Sequence, residues 1–302
     1  MRNDDLYIAI DGGGTKTEFV LFRRDGSVVS RHVREGSNPN IIGVEAACAV
    51  LAAGVDAVAP TDGDAVCGIF AGVSGALTGT RAAEMQERLY ARYPRLKIES
   101  DIMNVIYSAR CPGKCIAVIS GTGSSVFAYD GQRLFRAGGW GYLLDNAGSG
   151  FDIGREVIRA CLACDDGMAP RTLLVDLAEA KLGGHALDRL GTFYEKGRDF
   201  IASFAPVAFD ALRAGDGGAH AIIEITARRL AELITFVRGR YDCGNTAVVS
   251  GGLVNERAVL EPMIHAALDD GITLEFPEVP QINGAMHRCL ELWAGSGVSG
   301  EA

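Results

Sequence analysis

Short apolar stretches separated by glycine-rich turns dominate the first third of the chain. Several of them alternate between apolar and polar residues, and Asp25-Gly26 supplies a tight turn between two of them. Alternation with a period of two and an Asp-Gly turn are typical of β-hairpins. The strands that this pattern predicts are residues 7–10, 18–22, 27–33, 66–73 and 96–99.

Helical spacing appears between these strands and dominates the second half. Residues 41–58 are rich in alanine, and Val44, Cys48, Leu51 and Val55 recur every three or four positions. This spacing predicts a helix with one buried face. Further helices are predicted at residues 80–92, 103–110, 151–163, 172–180, 189–195, 202–214, 219–241 and 282–293.

The initial order of elements returns after Pro112-Gly113. A strand at 115–119 runs into a small-residue loop, and an Asp-Gly turn separates strands at 126–129 and 133–136. We interpret the shared order as an internal duplication. Later strands are predicted at 246–250 and, as an edge strand, at 273–276.

The length of 302 residues favours two domains over one core. The pattern therefore predicts an α/β protein with domains at residues 1–112 and 113–302, in which the last helix packs back on the first domain.

Composition narrows the class of protein. The chain is 48% hydrophobic and 22% charged, with a net charge of -9, which gives no support to a nucleic-acid or membrane partner. No apolar run reaches the roughly 20 residues that span a bilayer, and the N-terminal residues lack a secretion signal. The eight cysteines are scattered, several in apolar segments. We expect a cytoplasmic protein with reduced thiols.

The candidate chemistry begins with two glycine-rich loops, at Asp11–Thr17 and Ser120–Ser125. Either loop alone could be a plain turn, because glycine reaches backbone angles that other residues avoid. Two related loops in a duplicated chain can instead face one polyphosphate with their N–H groups and hydroxyls. Neither fits the P-loop or the dinucleotide fingerprint, since a strand follows each of them.

A family resemblance rests on these loops and four further segments. The six segments are Asp11–Thr17, Gly36–Asn40, Ala71–Gly75, Ser120–Ser124, Gly138–Gly141 and Ser250–Gly252. Their order resembles that of N-acetylglucosamine kinases within the BadF/BadG/BcrA/BcrD ATPase group of the actin, sugar kinase and Hsp70 superfamily. The resemblance runs from about residue 7 to about residue 290. It implies two ribonuclease-H-like domains with a cleft between them for ATP and a sugar.

The resemblance also implies how the nucleotide is held. The expected phosphate-binding residues are Gly13, Gly14, Thr15, Lys16, Gly121 and Thr122. Gly251 and Gly252 would pack against adenosine. Asp11 would hold Mg²⁺ directly or through water, as suits a cation that keeps part of its water shell; its alternative role is to stabilise the tight turn. ATP and Mg²⁺ are therefore the expected cofactors.

Asp101 has two interpretations. Phosphoryl transfer to a sugar hydroxyl needs a carboxylate that orients and deprotonates that hydroxyl. Ser100-Asp101 before a helix is equally what an ordinary N-cap looks like. The residues alone leave base and cap open, and the resemblance favours the catalytic base.

The resemblance implies a sugar site with a departure from the family pattern. The expected sugar-binding residues are Asn38, Asp101, Ser124, Gly139, Trp140, Gly141 and Asn146. Asn38 could instead serve a plain turn, and Trp140 could be a buried structural residue. The family pattern has Asp-Glu where this chain has Asn146-Ala147. Asn146 lacks the charge of the expected Asp, and Asp145, one place earlier, could substitute through a loop shift.

The resemblance therefore implies an ATP-dependent amino-sugar kinase, with N-acetylglucosamine as the expected first acceptor and glucosamine as the alternative. A second alternative is an ATPase that acts on a protein partner, because members of this group activate dehydratases through an iron–sulfur cluster. Cys161 and Cys164 could suggest such a cluster, but their predicted helical position favours buried structural cysteines. The resemblance is compatible with a homodimer.

Overall fold

The computed structural model describes residues 4–60, 65–110, 112–145 and 147–295. The chain divides into two compact units, of which the first is Met1–Pro112 together with Pro277–Ala302 and the second is Gly113–Phe276. The predicted second domain extended to residue 302, with its last helix packing back on the first domain. That packing is observed, and the chain from Pro277 onwards belongs to the first unit. The reason is that the last helix packs on strands of the first sheet.

The first unit is built on a mixed sheet with strand order β3-β2-β1-β4-β5. Its strands are β1 (Leu6–Gly12), β2 (Lys16–Arg23), β3 (Val28–Glu35), β4 (Val66–Val73) and β5 (Leu96–Ser100). The first three pair in antiparallel hairpins, while β4 runs parallel to β1 and β5 parallel to β4. The carboxyl ends of β1, β4 and β5 therefore meet at one edge of the sheet.

The second unit repeats this sheet. Its strands are β6 (Cys115–Ser120), β7 (Ser124–Tyr129), β8 (Leu134–Ala137), β9 (Thr246–Ser250) and β10 (Thr273–Glu275). Their order is β10-β9-β6-β7-β8, and β6, β7 and β8 are antiparallel while β9 and β10 run parallel to β6. Each strand of the first sheet thus has a counterpart at the same place and in the same direction, which confirms the predicted α/β fold with two related halves.

The helices lie between and after these strands. They are α1 (Pro39–Ile42), α2 (Val44–Val58), α3 (Arg81–Tyr90), α4 (Ile102–Tyr107), α5 (Gly150–Asp165), α6 (Leu173–Leu182), α7 (Leu190–Ala202), α8 (Ala205–Arg213), α9 (Gly217–Arg240), α10 (Arg257–Ala267) and α11 (Gln281–Trp293). The helices α1–α4 and α11 belong to the first unit, and α5–α10 belong to the second.

Both faces of the first sheet are covered. Successive side chains of β1 point to opposite faces of the sheet, and nearly all of them are apolar and buried. Ile8 and Ile10 lie in an apolar core with residues of α2 and α3. α11 packs against β1, β4 and α4. Gly68 of β4 makes room for Trp293 of α11, because a Cβ at Gly68 would lie 2.2 Å from the indole ring.

The core of the second unit joins its sheet to the helices. Val118 and Val126 of the sheet share one apolar cluster with Val157 of α5, Phe209 of α8 and Ile234 of α9. The central helix α9 packs against α5, α8 and α10 as well as against β6 and β7. Its buried stripe of apolar residues every three or four positions explains this central place.

Two predicted helices differ from the observed ones at glycines. The helix predicted at 41–58 is two helices, because Gly43 adopts φ 83° between α1 and α2. The helix predicted at 189–195 continues to Ala202, with a kink at Gly197, where φ is 66° and ψ is -151°. Both glycines have a positive φ, which residues with a Cβ atom disfavour.

Candidate active site

The first glycine-rich loop is a tight connection between β1 and β2. The Gly13 amide donates to the Lys16 carbonyl at 2.9 Å, and the Gly13 carbonyl accepts from the Ser37 amide at 3.0 Å. Gly14, Thr15 and Lys16 form the exposed tip. The loop therefore offers accessible backbone to a ligand while its base is fixed.

Asp11 lies at the end of β1, beside this loop. Its Oδ1 accepts a hydrogen bond of 2.7 Å from Nδ2 of Asn104 on α4. Burial, with a smaller contribution from the negative charges of Asp101 and Glu18, raises the pKa of the Asp11 carboxyl to about 6 against the lowering effect of the Asn104 hydrogen bond. A carboxylate kept in this environment favours a nearby cation.

Asp101 and Asn38 are joined through Ser74, which follows β4. The Asn38 Nδ2 donates to the Ser74 hydroxyl at 3.4 Å, and the Ser74 hydroxyl hydrogen-bonds to the Asp101 carboxylate. The Ser100 hydroxyl donates to the Asp101 Oδ1 at 3.0 Å. Burial raises the pKa of the Asp101 carboxyl, against the lowering effect of the two serine hydroxyls. The predicted base and a predicted sugar ligand thus belong to one hydrogen-bonded chain.

The N-cap alternative for Asp101 can now be judged from geometry. Asp101 precedes α4 with helical angles, φ -54° and ψ -20°, and its side chain makes no cap hydrogen bond. The Ser100 hydroxyl instead accepts from the Ile102 amide at 3.4 Å. The Asp101 carboxylate is therefore not committed to the ordinary task of an N-cap.

Asn38 has a structural task as well. Its Oδ1 accepts from the Asn40 amide at 2.8 Å and so caps α1. The Asn40 Nδ2 in turn donates to the Thr78 hydroxyl at 3.2 Å. Gly75 has φ 82°, and a Cβ there would lie 2.3 Å from the Asn38 Oδ1. The turn interpretation and the ligand interpretation of Asn38 are thus compatible, since capping uses only its oxygen.

The second loop, in the second unit, lies against the start of α5. The Gly121 and Thr122 carbonyls accept from the Gly150 amide at 2.7 Å and the Phe151 amide at 3.1 Å. The glycine after β9 approaches the same loop, since a Cβ on Gly251 would lie 2.4 Å from the Ser120 carbonyl oxygen. The structure therefore brings the predicted phosphate residues Gly121 and Thr122 close to the predicted adenosine residues Gly251 and Gly252.

Trp140 lies in a looped segment closed by Asp145. The Asp145 Oδ2 accepts from the Gly139 amide at 3.0 Å, and the Asp145 amide donates to the Gly141 carbonyl at 2.9 Å. Trp140 is 60% exposed, with the Arg136 guanidinium 4.7 Å from its ring centroid. The alternative of a buried structural tryptophan is therefore wrong. Asn146 lies outside the described residues.

Ser124 differs from the other predicted sugar ligands. Its side chain is buried, and its hydroxyl donates to the Ala147 carbonyl at 2.5 Å. The hydroxyl thus holds the segment that follows Trp140, and this contact gives Ser124 a structural task in positioning that segment.

The cysteines Cys161 and Cys164 lie on α5, as predicted. Cys161 belongs to the apolar core of the second unit, and burial raises the pKa of its thiol to about 12. Within the described ranges, the group of side chains close enough to share a metal ion is Asp165, Glu179 and His185. Its charges are already paired, since Glu179 contacts both His185 and Arg171.

Two site residues escaped the sequence analysis in these roles. Ser74 was noted only within the segment Ala71–Gly75, and Asn104 was not singled out. Asn104 follows Asp101 by three positions, which places both side chains near one face of a helix, and this spacing was the available signal. No helix in the described part of the chain has the length and hydropathy that a bilayer span requires.

Comparison with known proteins identifies the family. The model of the BadF/BadG/BcrA/BcrD ATPase family matches residues 8–286. The chain belongs to this family. Membership implies ATP as a substrate and confirms the resemblance that the six sequence segments indicated.

Curated relatives are sugar kinases. The chain is 27% identical over 288 residues to the N-acetyl-D-glucosamine kinase of Dictyostelium discoideum, and the match covers 86% of this chain and 89% of that protein. It is 25% identical over 264 residues to a glucosamine kinase of Vibrio cholerae, with coverage of 84% and 86%. These names describe the relatives, and they agree on transfer of a phosphoryl group to an amino sugar.

The fold is shared with solved structures. A candidate N-acetylglucosamine kinase from Chromobacterium violaceum superposes with a TM-score of 0.73 at 21% identity, covering 94% of this chain and 99% of that one. At this identity the likeness concerns the fold alone. It confirms the prediction of the fold of actin-like sugar kinases.

Proposed function

We propose that this protein is an ATP-dependent amino-sugar kinase that converts N-acetylglucosamine and ATP to N-acetylglucosamine 6-phosphate and ADP. The observation that carries the proposal is the chain of hydrogen bonds from Asn38 through Ser74 to Asp101, at the edge where three parallel strands end. It joins a group suited to binding a hydroxyl with a group suited to accepting its proton. The names of the curated relatives support the acceptor.

Asp101 acts as the general base in this proposal. A carboxyl whose pKa is raised by burial accepts a proton more readily than an exposed one. The hydroxyls of Ser74 and Ser100 hold the carboxylate in place, so that one oxygen can face the sugar hydroxyl. The proton moves from that hydroxyl to Asp101 as the sugar oxygen attacks the terminal phosphorus of ATP and the bond from that phosphorus to the leaving ADP breaks.

Backbone groups hold the nucleotide in this proposal. The tip formed by Gly14, Thr15 and Lys16 binds phosphate oxygens through N–H groups and the lysine charge, while the N–H of Gly13 closes the loop on the Lys16 carbonyl. The second loop binds the phosphates through the N–H and hydroxyl of Thr122, next to Gly121, whose N–H donates to the Gly123 carbonyl. Gly251-Gly252 packs against adenosine. The absence of side chains at these glycines lets a flat base or a phosphate approach the backbone.

Asp11 fits a magnesium ion. Asn104 occupies its Oδ1, which leaves the second carboxylate oxygen for a cation or for water bound to it. One carboxylate with phosphate oxygens and water is the usual ligand set of Mg²⁺ in phosphoryl-transfer sites. The bound ion would neutralise phosphate charge, and it would relieve the electrostatic cost of a buried carboxylate.

The sugar contacts complete the proposal. Asn38 binds sugar hydroxyls through its side-chain amide, and the exposed face of Trp140 packs on the apolar face of the ring. Gly139 and Gly141 let the backbone approach the sugar, while Ser124 orients this segment and Asn146 contributes an uncharged amide. Glucosamine is the second candidate acceptor, because the Vibrio cholerae relative is a glucosamine kinase.

The test is ADP release with Mg²⁺ across N-acetylglucosamine, glucosamine, N-acetylmannosamine and glucose. We expect the highest kcat/KM with N-acetylglucosamine, and a highest value with glucosamine would favour the second candidate. ADP release that no sugar changes would contradict both and would favour an ATPase that acts on a protein partner.

The companion variant is Asp101→Asn, which keeps the shape of the side chain and removes the base. We expect it to fold and to bind ATP, with transfer reduced by about two to four orders of magnitude, the usual contribution of a general base. Glu87→Gln, an exposed change on α3, is the matched control and should retain full transfer. Near-normal turnover of Asp101→Asn would remove Asp101 from this role.

A further inference from the structure

We infer that Asn104 is a positioning residue that fixes the Asp11 carboxylate for the metal and phosphate groups of ATP. The inference rests on the proposed function, in which Asp11 serves Mg²⁺. Asn104 lies on α4, its side chain is fully buried, and its Nδ2 donates to the Asp11 Oδ1 at 2.7 Å. It would act on the bound nucleotide only through Asp11.

The neighbouring strand is shaped around this amide. Gly72 of β4 pairs with Asp11 in the sheet register. A Cβ at Gly72 would lie 2.1 Å from the Asn104 Oδ1 and 2.6 Å from its Nδ2. The amide of Asn104 therefore lies against the backbone of β4, in a place that a side chain at position 72 would fill.

α11, on the other side of Asn104, also makes room for this residue with a glycine. A Cβ at Gly284 of α11 would lie 1.8 Å from the Asn104 carbonyl oxygen. The backbone of Asn104 is thus held by α11 while its amide is held against β4. Two glycines, one on each side, keep this one residue in register with Asp11.

The side-chain oxygen of Asn104 lacks a hydrogen-bond partner within the described residues, and a contribution to stability alone does not explain an amide at this position. This oxygen, Oδ1, is buried. A buried acceptor without a partner destabilises a protein, whereas an apolar side chain of the same shape would avoid that penalty. The donor half of the amide, which binds Asp11, is the feature that explains an asparagine at this position.

The arrangement also couples two carboxylates. Asp101 immediately precedes α4 and Asn104 lies within its first turn. The proposed base thus directly precedes the same short helix that holds the group orienting Asp11. The consequence is that removal of the Asn104 amide should impair the use of Mg²⁺ and leave binding of the sugar unchanged.

The test compares Asn104→Leu, which has a similar shape and no donor, with the unchanged protein. We expect the Mg²⁺ concentration for half-maximal activity to rise about tenfold or more and kcat to fall about 10- to 100-fold, as for groups that orient a metal ligand. The KM for the sugar should stay within about twofold. Unchanged Mg²⁺ dependence would overturn the inference.

A second readout does not need turnover. Binding of a non-hydrolysable ATP analogue is measured by calorimetry with and without Mg²⁺. We expect the tightening that Mg²⁺ produces to be largely lost in Asn104→Leu and in Asn104→Ala, and affinity without Mg²⁺ to be retained. Retention of the full Mg²⁺ effect in a folded variant would overturn the inference.

The controls separate this inference from the proposed function. Val105→Ala removes buried volume from the same helix and leaves the Asn104 amide in place, so it should leave the Mg²⁺ effect intact. An equal loss in Val105→Ala would show a general packing effect and overturn the inference. If the unchanged protein phosphorylates no sugar, the proposed function fails, while the Mg²⁺-dependent binding of the analogue still decides the role of Asn104.

Discussion

Asp11→Asn should stabilise the ligand-free protein. Burial and nearby negative charges raise the pKa of Asp11 from its ordinary 3.8 to about 6. One pKa unit corresponds to about 1.4 kcal/mol, so the ionised carboxylate costs about 3 kcal/mol of folding free energy at neutral pH. Asparagine has nearly the same shape, can still accept the hydrogen bond of Asn104, and carries no charge.

The sign of the pH dependence follows from proton binding. Between about pH 4 and pH 6 the folded protein holds a proton on Asp11 that the unfolded chain has released, so the stability that this proton contributes is lost as the pH rises through about 6. The advantage of Asp11→Asn should therefore be largest above about pH 7 and should shrink by about 3 kcal/mol towards pH 4.

Tryptophan fluorescence can follow this effect in the first unit. Trp293 belongs to that unit, where its indole N–H donates to the Ile69 carbonyl at 3.3 Å, and Trp140 belongs to the other. In a Trp140→Phe background, urea unfolding at several pH values reports on Trp293 alone. If the difference in stability between Asp11→Asn and its parent were constant from about pH 4 to about pH 8, the reasoning would be refuted. Glu87→Gln should show no such pH-dependent gain.

Two further changes test the surroundings of the base and of the second loop. Ser74→Ala removes a hydroxyl that lowers the pKa of Asp101, so kcat should fall about tenfold or more, and the acid limb of the kcat profile should move to higher pH. Gly251→Ala should raise the KM for ATP about tenfold, because its Cβ would lie 2.4 Å from the Ser120 carbonyl oxygen; initial rates over a range of ATP concentrations measure this.

Each of these changes has a matched control. Ser74→Thr keeps the hydroxyl and should keep the acid limb in place, so an unshifted limb in Ser74→Ala would count against the hydrogen bond. Gly215 has φ 88° and open space around its Cβ position, so Gly215→Ala strains the backbone without a collision. An equal rise in the KM for ATP in both glycine variants would contradict the role of close packing at Gly251.

The fold was predictable because its signals are local. The hairpin from β1 to β3 and its copy from β6 to β8 each contain short apolar strands, a small-residue loop and an Asp-Gly turn. Their repetition predicted two related halves. The return of α11 to the first domain was predicted, but not its place on β1 and β4, since that packing depends on contacts between residues more than 200 positions apart.

The candidate site was predictable only in part, because the contacts that build it join residues far apart in the chain. Asp101 stood out because it follows a strand, but a base and an N-cap look alike in sequence. The structure adds that the Asp101 side chain makes no cap hydrogen bond on α4. The pairing of Asn104 with Asp11 spans 93 positions. Gly72 was noted only within the segment Ala71–Gly75, and Gly284 was not noted at all. The Asn104 amide beside Gly72 and the Asn104 backbone carbonyl beside Gly284 come from distant parts of the chain.

The place of α11 in the chain affects how the protein is made. Its Cys289 and Trp293 pack on β1 and β4, yet more than 160 residues of the second unit are synthesised between those strands and this helix. A nascent chain therefore leaves one face of its first sheet uncovered until α11 has been synthesised. The apolar residues of that face are exposed to aggregation during this time, and the first unit reaches its final form only after the second has emerged.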